Sequence, residues 1–144
     1  MPTFTVHSRV LIAAPPAAVY RVAADPAMVL RYAREVRRIE VLGRDGDRAR
    51  VRVHLRVGPL TLRPVYRYVY RPVRLYAGVQ EGGGLLRGFF GMTFRPEGAG
   101  TVVAHVEGIR SPVPLLARAL GRAVLRRRGI EQELARLKRL VEEG

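Results

Sequence analysis

A chain of 144 residues, 48% hydrophobic and 26% charged, has the length of one domain and can bury roughly 70% of the surface its unfolded form exposes. No apolar run approaches the ~20 residues of a bilayer-spanning helix, and the absence of cysteine excludes disulfides, thiolate catalysis and thiolate metal sites together. The net charge of +14 is almost all arginine, with Lys138 the only lysine; such a surface attracts nucleic acid, acidic membrane or acidic protein, and is also what a high-GC genome or a thermophile writes.

The opening Met1-Pro2-Thr3-Phe4 lacks a basic segment followed by an apolar core, so no signal peptide is expected and the cytoplasm is the default address. Phe4, Val6, Val10 and Ile12 alternate with Thr5, His7, Arg9 and Leu11, which predicts a first strand ended by Ala13-Ala14-Pro15-Pro16. Proline at a helix start and the apolar Val19, Tyr20, Val22 and Ala23 predict a short helix. Asp25-Pro26 reads as the cap and first residue of a second helix that buries Met28, Val29 and Tyr32.

From Val36 the period changes to two. Strands are predicted over 36–44 and 48–57, joined by the turn Asp45-Gly46-Asp47; in the second, Val51, Val53, Leu55 and Val57 oppose Arg50, Arg52, His54 and Arg56. After Gly58-Pro59 a strand over 60–71 sets Leu62, Tyr66, Tyr68 and Tyr70 against Arg63, Arg67 and Arg71. Leu75, Ala77 and Val79 mark another, closed by Gly82-Gly83-Gly84; Leu86, Gly88, Phe90, Met92 and Phe94 form one face of the next, and 101–109 is the last. Six strands at hairpin spacing imply an antiparallel meander. Beyond Ser111-Pro112-Val113-Pro114 the period returns to 3.6, with Leu116, Leu120, Ala123, Val124, Ile130, Leu134, Leu137 and Val141 on one stripe of a long helix. Gly121 and Gly129 each cost such a helix about 1 kcal/mol, so one of them is expected to mark a bend or a close contact.

This order of elements is the helix-grip arrangement, and particular segments resemble the START/polyketide cyclase-dehydrase (SRPBCC, birch-allergen-like) superfamily. Val10 to Pro26 (VLIAAPPAAVYRVAADP) is similar to the family opening, Val36 to Val41 with Asp45-Gly46 to its second strand, and Leu86 to Pro96 (LRGFFGMTFRP) to its glycine-aromatic strand. Gly100 to Val103 is similar to the start of the last strand, and Ser111 to Ala119 to the approach to the C-terminal helix. Where the family often carries tryptophan, this chain has Phe90 and Met92. The resemblance implies one α+β domain over 1–144: two short helices after strand 1, and a curved antiparallel sheet of about seven strands around a long C-terminal helix. Its nearest likeness is to the coenzyme Q-binding and lipid-transport group, so the implied ligand is a lipid, an isoprenoid quinone or a polyketide-like molecule.

On that footing the expected cavity lining is Met28, Tyr32, Leu55, Tyr66, Tyr68, Tyr70, Phe90, Met92, Phe94, Leu120, Val124 and Arg127. Tyr66, Tyr68 and Tyr70 share a strand face and offer an apolar wall carrying hydroxyls, or else fill core volume. The flexible Met92 suits an adaptable cavity. Met28, Leu30 and Tyr32 are placed as a lid by the resemblance. Arg127 lies on the apolar stripe of the helix and either snorkels outward or points inward to an anionic ligand or to Glu107.

Signatures of catalysis are absent from the sequence pattern. His7, His54 and His105 fall on three strands with no helical ligand pair, and His105-Val106-Glu107 lacks the downstream cysteines of a deaminase. Neither Ser8 nor Ser111 lies in a nucleophile turn, and the glycine run has no helix after it to cradle phosphate. The expectation is therefore a non-catalytic carrier of a hydrophobic small molecule, with no metal, cofactor or catalytic residue. The alternatives are an aromatase/cyclase that holds its substrate, or a ribosome-association, toxin-like protein binding RNA or ribosome. The arginines at 50, 52, 56, 63, 67 and 71, with Arg126-Arg127-Arg128, form a basic field that would serve an anionic membrane surface, a ribosome or an RNA, or is solvated charge; aromatic rings for base stacking are scarce on it, with Tyr76 the expected exception. The oligomeric state is not indicated.

Overall fold

The computed structural model describes residues 3–82 and 84–144, with Val124 described in its backbone alone. Gly83 of the predicted glycine turn thus lies outside the described residues. Strand β1 (Thr3–Ile12) leads into α1 (Pro16–Ala23) and α2 (Pro26–Tyr32). Both helices start on a proline, which has no N–H to leave unpaired, and Asp25 caps the second by accepting the Ala27 N–H at 2.9 Å.

Seven strands follow: β2 (Val36–Asp45), β3 (Arg48–Val57), β4 (Leu60–Leu62), β5 (Val65–Arg71), β6 (Leu75–Gln80), β7 (Arg87–Glu97) and β8 (Gly100–Arg110). They form one 8-stranded antiparallel sheet ordered β1-β8-β7-β6-β5-β3-β2, with β4 paired only to the end of β3. The predicted strand over 60–71 is therefore two. Pro64 cannot donate to a ladder, and its carbonyl instead accepts from Val53 N at 2.9 Å where the chain crosses from β4 to β5.

The long terminal helix is also two pieces, α3 (Pro114–Val124) and α4 (Arg127–Glu143). Leu125 leaves the helical region at φ −98°, ψ 87°, and the adjacent positive charges of Arg126, Arg127 and Arg128 give no reason to continue through it. Gly121 is the close contact rather than the bend: a Cβ there would lie 2.2 Å from a ring carbon of Phe4, so α3 can lie against β1 only without one. Gly129 has nothing within 4 Å of that position.

The helix-grip architecture is as expected, with α4 set across the inner face of the sheet. Leu134 and Leu137 of α4, Ile12 of β1, Val19 of α1, Val51 of β3, Met92 of β7 and Val103 of β8 are all at most 2% exposed. Each such side chain contributes about 1.5–3 kcal/mol by leaving water. Polar ties close the package: Lys138 Nζ donates to Leu11 O at 2.9 Å, Glu142 accepts from Ala13 N at 2.8 Å, and Arg136 Nε donates to Tyr32 O at 2.9 Å. Among the described residues, no helix is long and apolar enough to cross a membrane.

Candidate functional site

Alternation along β8 turns Thr101, Val103, His105 and Glu107 toward the helices. The register places Ser8 and Met92 beside His105, and Val6 and Phe90 beside Glu107. From the opposite side α4 presents Ile130, Glu133, Leu134 and Leu137 as its buried face. The one acid on that face meets the one histidine on the facing strand. His105 Nε2 lies 3.2 Å from Glu107 Oε1, and His105 Nδ1 lies 3.3 Å from Glu133 Oε2.

These are close contacts out of line for hydrogen bonding, and neither ring nitrogen has a hydrogen-bond partner. An unsatisfied buried polar group costs about 1–3 kcal/mol, so the sequence carries a destabilising cluster in the middle of its core. Burial is graded: the Glu107 side chain is 22% exposed, Glu133 6% and His105 2%, so the cluster is reached from the Glu107 side. Desolvation first, then repulsion from Glu107 and Glu35, raises the Glu133 carboxyl well above the carboxylate range, with Arg136 opposing. Burial and the charge of Glu107 push the Tyr66 hydroxyl up to about 12, which keeps it a neutral donor.

One nitrogen of His105 and one oxygen of each glutamate fall within 4.8 Å of one another, close enough to ligate a divalent cation. The two carboxylates, however, face opposite edges of the ring, and a cation takes only one ring nitrogen. As placed, the trio is better suited to moving a proton than to holding a metal.

The expected lining residues divide into three groups. Tyr32, Tyr68, Tyr70, Met92 and Phe94 are packed in the core, and so is Tyr76, expected on the arginine face but turned inward by the phase of β6. Rings of Tyr68, Tyr76 and Phe90 meet edge to face at 5.1–5.6 Å. Tyr32 donates to Ala23 O at 2.6 Å, which fixes it to α1, and Leu30 beside it is exposed. Leu55, Tyr66 and Phe90 pack against that core but stay partly exposed, on the same side as Glu107, and Met28 and Leu120 are half-buried on α2 and α3. The side chain of Val124 lies outside the described residues.

Arg127 takes the outward alternative. It is exposed at the first turn of α4 and lines an outer groove of about 670 Å³ with His7, Arg9, Thr93 and Glu131; Glu107, its suggested partner, meets His105 instead. A second outer groove of about 360 Å³ lies among Tyr20, Arg21, Asp25, Arg44, Asp47 and Tyr70. The arginine field is partly neutralised. Glu81 receives Arg50 through two hydrogen bonds of 3.0 and 3.1 Å and Arg67 at 3.3 Å, while Glu40 meets Arg38 and His54. Both carboxyls are held below their ordinary range by these hydrogen bonds.

Comparisons with known proteins extend over the whole fold. Residues 3–142 match the profile of the family described as polyketide cyclase / dehydrase and lipid transport. Among solved structures, TTHA0849 from Thermus thermophilus is 26% identical with a TM-score of 0.79, over 97% of this chain and 98% of that one. The Zhui aromatase/cyclase from Streptomyces sp. R1128 is 20% identical with a TM-score of 0.82, over 98% and 94%. A START superfamily protein from Mycobacterium smegmatis is 16% identical with a TM-score of 0.70, over 96% and 97%. A search of curated protein sequences gives no match.

Proposed function

We propose, from the premise that this chain belongs to the polyketide cyclase/dehydrase and lipid-transport family, that it is an acid–base catalyst acting on a hydrophobic carbonyl compound held between the sheet and its C-terminal helices. The single observation that carries the reading is the buried His105 between Glu107 and Glu133, with both ring nitrogens left without hydrogen bonds. A carrier of apolar cargo gains nothing from such a trio, because apolar residues of similar volume there are neutral or stabilising by about 1–4 kcal/mol. A proton-transfer enzyme needs it.

The substrate approaches past Leu55, Tyr66 and Phe90, three partly exposed side chains of the inner face. Their apolar area supplies the binding, and the neutral Tyr66 hydroxyl is a donor for a carbonyl oxygen whose charge grows as an enol forms. In a dehydration, a ring nitrogen of His105 takes the α-proton of a β-hydroxy ketone. The C–O bond breaks and that nitrogen returns the proton to the departing hydroxyl, so water leaves and a conjugated enone remains. Glu133 faces the ring from the helix side, and Glu107 balances the imidazolium charge as it forms. The Zhui aromatase/cyclase shares the fold and lends its reaction class to this proposal by analogy.

A suitable probe is 4-hydroxy-4-phenylbutan-2-one, whose dehydration to the enone is followed by ultraviolet absorbance. The wild-type protein is expected to accelerate the reaction. H105F is expected to lose at least 100-fold of that acceleration, the lower range of general acid–base catalysis, while still binding the product enone. Equal rates for wild type and H105F, with equal binding, would return the protein to the carrier reading.

A further inference from the structure

The end of the sheet that carries the partly exposed side of the interior also carries a rim of bare leucines. The register brings three loops to that end: the β3–β4 tip beyond Val57, the β6–β7 loop between Gln80 and Arg87, and the β8–α3 connection after Arg110. On them Leu60, Leu62, Leu85, Val113 and Leu115 are exposed, Leu115 by 75% and Leu60 by 60%. Leu60 and Leu62 pair with Val57 and Leu55, so they continue the inner face outward rather than the arginine-bearing outer face.

Interspersed with these leucines are Arg63, Arg87, Arg110, Arg118 and Arg122, all exposed, and among the described residues none of them is in an ion pair. On α3, Leu115, Arg118 and Arg122 stand three and four residues apart, so helix geometry puts them on one face. The β6–β7 loop also carries an acid, Glu81, but its carboxylate is taken up by Arg50 and Arg67 of the outer face.

We propose that this rim docks the protein on an anionic lipid bilayer, with the leucines entering the headgroup–acyl boundary and the arginines on lipid phosphates. Apolar side chains on three separate loop tips suit a deformable apolar slab better than the continuous groove that a partner helix or strand would require. These arginines, of which Arg110 lies over the Phe89 ring at 4.9 Å, supply the charge complementarity, within a chain of net charge +14. A nucleic-acid phosphate backbone would use the arginines and leave the leucines with no role, and the exposed rim positions offer no aromatic ring for base stacking. The inference does not depend on catalysis at His105: it concerns how an apolar molecule passes between a membrane and the interior behind this rim.

The test is co-sedimentation of the purified protein with vesicles of phosphatidylcholine alone and of phosphatidylcholine with 30% phosphatidylglycerol. Binding is expected to the anionic vesicles only and to fall as salt rises. L60S/L85S/L115S should weaken it at least tenfold and R87Q/R110Q roughly 30-fold. R71Q/R95Q, at the opposite end of the sheet, should leave it unchanged. All the substituted side chains are exposed, so thermal melts close to wild type are expected and establish that the variants fold. No binding to anionic vesicles overturns the proposal. So does binding that survives the leucine substitutions and is displaced by RNA, which would mark a purely electrostatic surface. Loss of vesicle binding in these variants with probe dehydration intact separates this inference from the catalytic one.

Discussion

At the scale of single residues, the interior holds groups that destabilise the fold. Glu133 is the foremost of them, and its sign with pH follows from linkage. Its native carboxyl titrates well above the ordinary value of 4.5, so between those two points the native state holds a proton that the unfolded state has released. Stability from this group is fully present below about pH 4.5 and is lost as pH rises through the native value. E133Q keeps the hydrogen-bonding shape and removes the titration. Thermal melts should show E133Q gaining on wild type as pH rises from 5 to 8, by about 1 kcal/mol or roughly 3–4 °C at the upper end, and matching it near pH 4. A gap that stays constant with pH would mean Glu133 is ionised in the native state. Tyr32 is a buried polar residue of the opposite, stabilising kind. Its hydroxyl donates to Ala23 O inside the core, and Y32F should cost about 1–2 kcal/mol by denaturant titration. Nothing in the sequence singled out Glu133, which stands three residues after Ile130 beside the apolar stripe, and His105 and Glu107 drew notice only as an incomplete deaminase pattern and as a partner for Arg127. What could not be read was that strand and helix bring them face to face, because that depends on how α4 crosses the sheet.

At the scale of elements, periodicity and punctuation specified most of the fold. The Asp25 cap, the proline starts and the strict alternation of β3 are local, and local rules predict them. Two boundaries failed for non-local reasons. The segment over 60–71 keeps its alternation through Pro64, so pattern alone cannot see that Pro64 takes the strand off the ladder. The stripe from Leu116 to Val141 likewise runs through Leu125, where the backbone leaves the helix between the β1 contact of α3 and the inner-face packing of α4. The two glycines that clouded this region separate by experiment. G121A forces a Cβ into the Phe4 ring and should destabilise by about 1–3 kcal/mol. G129A meets open space and should stabilise by about 0.5–1 kcal/mol through helix propensity. Melts that shift in the same direction for both would contradict the placement of α3 against β1.

At the scale of the whole molecule, the sheet has two unlike faces and two unlike ends. The outer face carries arginines that Glu40 and Glu81 partly restrain, and the inner face carries the aromatic core and the His105 trio. At one end Ile12, Val51 and Val103 seal the core; toward the other, Tyr66, Phe90 and Glu107 stay partly exposed. The resemblance in the sequence announced the architecture and a hydrophobic ligand. It did not announce proton chemistry, because the histidine and its two carboxylates come from separate elements and match no linear motif. The three histidines distinguish the three candidate surfaces: His7 and His105 both border the outer groove, His54 lies on the arginine face, and His105 alone reaches the interior. Imidazole proton and nitrogen resonances recorded while 4-phenylbut-3-en-2-one is titrated in therefore test the central claim directly. The expected result is a saturable shift of the His105 resonances with His7 and His54 unmoved; shifts confined to His7 or His54, or none at all, would contradict it.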